Sequence, residues 1–192
     1  MLRLAILSSG GGSNFQALID ASRQKKLGCF QPVLLVADRP CYALERAHEA
    51  QIEAELLDRR EWKKTLSEEL NSLLKSKNID AVALAGWLSI LSGSVLEEWK
   101  GRMVNIHPSL LPRHGGEGMW GMHVHKKVLE SGDQESGCTV HHVVAKVDGG
   151  AILGQAKIKV CPDDTPERLA QRVLVQEHRL YPLILSQWSE TL

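Results

Sequence analysis

The chain has no surplus charge of either sign: 23 Lys and Arg stand against 23 Asp and Glu. A domain that coats nucleic acid is normally basic, so the balance argues against one. Long apolar runs are missing too. The longest, about Ala81 to Leu88, has Gly86 inside it, whereas a membrane helix needs about 20 apolar residues. The apolar start Met1–Leu7 is stopped at once by Ser8, Ser9 and three glycines, so it does not read as a signal peptide. Cys29, Cys41, Cys138 and Cys161 form no C-x-x-C pair. They read as reduced thiols of a cytoplasmic protein, without metal-ligand spacing. No repeat, low-complexity tract or linker interrupts the chain.

What remains is an ordinary globular composition, 43% hydrophobic and 24% charged, which excludes a disordered activator. At roughly 100–200 residues per domain, 192 residues predict one domain that needs no disulfide or metal staple.

Strand and helix patterns alternate in the first half. Arg3–Ser9, Val33–Ala37, Glu55–Leu57 and Ile79–Ala85 read as strands. Asn14–Lys26, Tyr42–Gln51 and a long amphipathic stretch from Glu61 to Lys77 read as helices. This order predicts an α/β fold, a mostly parallel twisted sheet with helices on both faces and a Rossmann-like N-terminal half. In the second half Met103–His107 is a short strand, Val124–Ser131 a helix, and Thr139–Val144 and Ile152–Val160 antiparallel strands. Pro166–Trp188 is a last long helix capped by Asp164 or Thr165, with Pro182 as a point of kinking. Ligands of such sheets bind beyond the carboxyl ends of the strands. Functional residues are therefore expected in Ser8–Asn14, Asp38–Cys41, Ala85–Ile90 and after Val104.

Gly10-Gly11-Gly12-Ser13-Asn14 joins the first strand to the first helix. Glycines there allow close approach of an anion to outward-pointing N–H groups, and the helix dipole favours it. The loop lacks the Gly-Lys-Ser/Thr of nucleotide triphosphate loops. Phe15 stands where a dinucleotide fingerprint needs glycine, although Asp38 could still imitate its ribose-binding acid. Two readings stay open: a phosphate site, and a tight turn capped by Ser13 or Asn14.

Six of eight histidines fall between positions 107 and 142. They lack the helical i, i+4 spacing of zinc hydrolases, and His141 and His142 should face opposite sides of a strand, so no metal is expected. Asn105 and His107 project to one side of an extended segment. An amide beside an imidazole suits acyl transfer, where an oxyanion must be stabilised and a proton moved. Asp148, in a turn with Gly149 and Gly150, would orient His107 and raise its pKa if the two met.

Together these motifs resemble the phosphoribosylglycinamide formyltransferase family, the ribonucleotide-using branch of the folate-dependent formyl transferases and hydrolases. The resemblance runs through Ser9–Asn14, Asn105–Pro112, Val147–Gly150 and Gln176–Pro182 and covers nearly the whole chain. It implies a purine-biosynthetic enzyme that moves a formyl group from 10-formyltetrahydrofolate, as co-substrate, to the amine of glycinamide ribonucleotide. It implies catalytic roles for Asn105, His107 and Asp148, with His141 near the site. Gly11, Gly12, Ser13 and Asn14 would hold the substrate phosphate, and Glu177 the ribose. Leu88, Ser89, Ile90, Leu91, Leu96 and Met103, with Ala145, Lys146 and Val147, would form the folate pocket, and Arg60 is a weaker folate-side match.

Residues 1–100 would then be the phosphate-binding half, and 101–192 the catalytic and folate-binding half. A monomer or homodimer without nucleic-acid or membrane partners is expected. A core with no room for a further domain favours a small acceptor over tRNA. Relatives that hydrolyse formyl folate or formylate other amines are the alternative. The chain departs from the family at Ser89, where many members have Arg, and at Ala151, where Pro is common. The loop Arg113–Gly121 is also longer than usual, and is either a mobile lid near the ribonucleotide site or a variant surface loop.

Overall fold

The computed structural model describes residues 1–192. The strands are β1 (Leu2–Ser8), β2 (Phe30–Ala37), β3 (Glu53–Leu56), β4 (Ala81–Leu84), β5 (Met103–His107), β6 (Glu135–His142) and β7 (Ile152–Lys159). They form one sheet in the order β3-β2-β1-β4-β5-β6-β7. Neighbours from β3 to β5 run parallel, and β6 and β7 add antiparallel. The mixed α/β architecture matches the sequence expectation. No helix is long and apolar enough to cross a membrane.

The sheet is buried on both faces, which is why its central strands read as continuous apolar runs. Leu4 and Ile6 of β1 point into a core shared with α1 (Ser13–Arg23), α2 (Tyr42–Ala50), α6 (Met122–Glu130) and α7 (Pro166–Trp188). Ala5 and Leu7 point the other way, onto α4 (Leu66–Ser76) and α5 (Ser94–Glu98). Met103 belongs to this second core. Asn105 and His107 follow on the same face of β5, so one strand face passes from core to polar site within five residues.

β2 begins before its proline. Pro32 pairs with Leu4, and the register then shifts so that Ala5 meets Leu34. A residue with no N–H to give the ladder is tolerated at such an irregularity. The helix expected from Glu61 to Lys77 is instead broken. α3 (Arg59–Trp62) ends where Lys63 takes φ 46°, a 3-10 turn covers Lys63–Thr65, and α4 follows. Lys63, Lys64 and Thr65 are exposed and offer no apolar face, so only the Leu66, Leu70 and Leu74 stripe holds a helix on the sheet. α5 has one fully packed side chain, Val95, and is too short for periodicity to reveal. α7 runs from Pro166 to Trp188 through Pro182, and the Thr165 side chain accepts from Arg168 N.

Candidate active site over the carboxyl ends of the central strands

The strand order turns at β1 and β4, and the loops after them meet. Ser9 N donates to Gly86 O at 3.0 Å, and Leu88 N donates to Ser9 Oγ at 2.8 Å. Gly12 takes φ 67° at the start of α1, where an added Cβ would lie 2.8 Å from the Cβ of Ala43. No side chain caps this helix, so the capped-turn reading by Ser13 or Asn14 is not realised and the first N–H groups lack a side-chain acceptor. Gly10 and Gly11 face open space. The buried Asn14 donates through Nδ2 to Glu177 Oε2 at 2.6 Å, and its Oδ1 has no partner. Burial pushes the Glu177 carboxyl above its ordinary value, and the bond from Asn14 only partly opposes this. Residues 163 positions apart thus meet at the glycine loop.

Asn105, on β5, pairs across the ladder with His141 on β6. Asn105 Nδ2 lies 3.0 Å from His141 Nε2, while His141 Nδ1 donates to His142 O at 2.9 Å. With Nδ1 committed, Nε2 accepts from Asn105 when the ring is neutral and faces Asp148 as a donor only when the ring is protonated. His142 takes the opposite face, edge-on to Trp188, as strand alternation requires. Asp148 sits at φ 53° in the β6–β7 connection, a conformation that a non-glycine residue adopts at a cost of about 1 kcal/mol. Its carboxylate lies 3.4 Å from His107 Nδ1 and 3.5 Å from His141 Nε2, and accepts from Gly116 N at 2.9 Å. Burial pushes Asp148 up, but the His141 hydrogen bond, the His107 charge and the Gly116 N–H outweigh it and hold the carboxyl below its ordinary value.

At His107 burial adds a cause that the sequence does not show. Burial pushes its imidazole below the ordinary value. Asp148 and the His114 carbonyl pull upward, as expected, without overcoming that. The ring donates through Nε2 to His114 O at 2.9 Å. His114 O and Gly116 N therefore place the Arg113–Gly121 loop directly over the catalytic candidates, closer to the chemistry than a variant surface loop. These two backbone groups were missed in the sequence, since only side chains carry a sequence signal. The glycine content of the loop was the available clue.

The folate-side residues are only partly gathered. Leu88, Ser89 and Ile90 follow β4, and Leu88 and Ile90 are exposed. Ser89 Oγ donates to Asp38 at 2.5 Å, so its hydroxyl is turned into the protein. Leu91 and Met103 are buried in the second core and Leu96 packs on it, which makes them a floor rather than a lining. Ala145 and Lys146 are exposed beside a half-buried Val147. Arg60 is not brought in. Its side chain is 77% exposed, and its guanidinium is engaged by Asp58 two residues away. Asp38, the candidate ribose acid of a dinucleotide site, is fully buried and already holds Arg39 and Ser89. Burial raises its pKa, but bonds from Arg39, Ser89 and Ser9 more than offset this. A groove of about 780 Å³ lies along α1 and α7, touching the glycine loop at Ser13 and α2 at Arg46.

A glycine loop opening a helix, and an amide–imidazole–carboxylate chain on the same end of a Rossmann-like sheet, define an α/β protein equipped for acyl-group chemistry. The chain belongs to the formyl transferase family, whose model matches residues 2–185. It is 37% identical over 194 residues to the phosphoribosylglycinamide formyltransferase of Escherichia coli, covering 98% of this chain and 88% of that protein. It is 43% identical over 188 residues to the trifunctional purine biosynthetic protein adenosine-3 of Drosophila melanogaster. That match covers 96% of this chain but only 14% of the relative, so the chain spans about one seventh of that protein. Among solved structures, glycinamide ribonucleotide transformylase 1 from Symbiobacterium toebii superposes with a TM-score of 0.93 at 36% identity, covering 100% of this chain and 89% of that one.

Proposed function

We propose that this protein transfers a formyl group from 10-formyltetrahydrofolate to the amine of glycinamide ribonucleotide, in purine biosynthesis. The observation that carries the reading is the cluster of Asn105, His141, Asp148 and His107, placed at the same sheet end as an uncapped glycine loop. The names and near-complete coverage of the bacterial relatives support it.

The loop N–H groups at Gly12, Ser13 and Asn14 suit the phosphate of the ribonucleotide. Glu177 accepts from Asn14 and is available to a ribose hydroxyl. Asn14 Oδ1, buried without a donor, gives a second acceptor for the same sugar. The exposed Leu88 and Ile90, with backbone from Ala145 to Val147, suit the flat, partly apolar folate, which supplies an activated formyl carbon when bound. In the reaction the amine lone pair forms the new carbon–nitrogen bond. The bond from that carbon to the folate nitrogen breaks, and one proton passes from the attacking to the leaving nitrogen.

His141 holds one N–H of Asn105, which leaves the second free for the oxyanion that develops on the formyl oxygen. His107, whose Nε2 donates to His114 O, adds a second donor once released from it. Asp148 fixes both imidazoles and favours positive charge on them as the proton moves. Holding both reactants over adjacent strand ends supplies much of the acceleration.

The test is purified protein with both substrates, following folate absorbance. Formyl loss that requires the ribonucleotide supports the transfer. Loss without it points to the hydrolase alternative, and no loss with either overturns the reading.

A further inference from the structure

The glycine loop is held from behind by one helix. Ala43 N, in the first turn of α2, donates to Gly10 O at 3.1 Å. Arg46, one turn later, donates through Nε to Gly11 O at 2.8 Å and through a terminal nitrogen to Gln16 Oε1 on α1 at 3.1 Å. The guanidinium also lies 5.0 Å from the Tyr42 ring centroid. No carboxylate pairs with Arg46, unlike Arg39, Arg60, Arg113, Arg168 and Arg172. A peptide unit presents its C=O and N–H in opposite directions. Fixing the carbonyls of Gly10 and Gly11 on the α2 side therefore turns the N–H groups of Gly11 and Gly12 away from α2, toward the open space beside Gly10 and Gly11.

We infer that Arg46 is a positioning residue for anion binding: its guanidinium clamps Gly11 O to Gln16 and keeps the Gly12 N–H aimed at the substrate phosphate. The inference rests on the proposed function for the identity of that phosphate. Two glycines in sequence have wide backbone freedom, and without the clamp the peptide between Gly11 and Gly12 is free to rotate. Arg46 does this without touching the reacting atoms. Its loss should weaken capture of the ribonucleotide and leave the chemical step in place.

Arg46→Met keeps the stem and removes the fork. Arg46→Lys keeps the charge but cannot bridge two acceptors in the same plane. Both are measured by steady-state kinetics in each substrate, with inorganic phosphate as competitive inhibitor and with thermal midpoints recorded. The expected result is a KM for the ribonucleotide raised about tenfold in both variants, from loss of a charge-assisted hydrogen bond. The inhibition constant for phosphate should rise in parallel, while KM for formyl folate and kcat stay within about twofold. An unchanged ribonucleotide KM in Arg46→Met overturns the inference. Full recovery in Arg46→Lys overturns it as well, by reducing the effect to charge. If Arg46→Met loses its fold, Arg46→Gln, which keeps a neutral donor, carries the same comparison. A parent protein with no ribonucleotide-dependent transfer would sink the proposed function instead. Protection of the Gly12 amide by inorganic phosphate, compared in parent and variant by NMR titration, still decides the role of Arg46.

Discussion

At the scale of single residues, the site is a set of groups whose protonation is set by burial as much as by partners. Asn105→Ala removes the only uncommitted amide donor beside His141, and His107→Ala removes the ring between Asp148 and His114 O. Each is expected to lower kcat by about 10²–10³-fold, the scale of losing one oxyanion donor. Thermal midpoints near the parent value would show that the fold is kept. Normal turnover in either variant would remove it from the mechanism.

Glu177 gives a prediction about stability. Its folded carboxyl keeps a proton to higher pH than it would in the unfolded chain. The folded state therefore binds more protons in that window, and stability falls as pH rises through it. Glu177→Gln abolishes this dependence. The variant should melt with the parent below the ordinary glutamate pKa of 4.5 and above it at neutral pH, while its KM for the ribonucleotide rises. A variant that melts lower at neutral pH would contradict the burial argument. The motifs singled these residues out. The pKa of His107 was not legible, because burial comes from tertiary packing that spacing does not record.

At the scale of elements, the turn between β1 and α1 separates two kinds of glycine. Gly12 needs its left-handed φ and has no space for a Cβ against Ala43, whereas Gly10 has open space and no such φ. Gly12→Ala should therefore destabilise the protein by about 1–2 kcal/mol, measured by urea unfolding. Gly10→Ala should leave stability near the parent value and raise the ribonucleotide KM, since its methyl enters the space open to the anion. Equal loss of stability in both would refute the distinction. The sequence pattern placed β5 and α7 at their observed ends because Asn105–His107 stops at a proline and α7 opens with Thr165 and Pro166. It failed between Glu61 and Lys77. Trp62 and the leucines of α4 share a helical period, but nothing in a period shows that the three exposed residues between them have no surface to cover.

At the scale of the molecule, the site is assembled across the whole chain. The expected division at residue 100 is crossed by the β4–β5 pairing, by Asn14 with Glu177, and by Tyr181 Oη donating to Leu84 O. The proposed folate-side segment Leu88–Leu91 lies before that division and Glu177 after it. Unfolding should therefore be one cooperative transition. Far-UV circular dichroism and tryptophan fluorescence, which samples Trp62, Trp87, Trp99, Trp120 and Trp188, should trace the same urea curve. Separated midpoints would mean that the halves are independent after all. Long-range closure of this kind is hard to read from sequence, because the chain records which groups are present and not which ones the sheet order brings together.

The carboxylate of Asp148 is surrounded by His107, His141 and the Gly116 N–H. A carboxyl held below its ordinary value is a poor resting place for another proton. Asp148 is thus better suited to act as a fixed source of negative field than as a depot. In the proposed transfer the proton leaving the amine would travel on without stopping there, and an Asp148→Asn protein, similar in shape, would turn a constant field into a group that competes for the same acceptors.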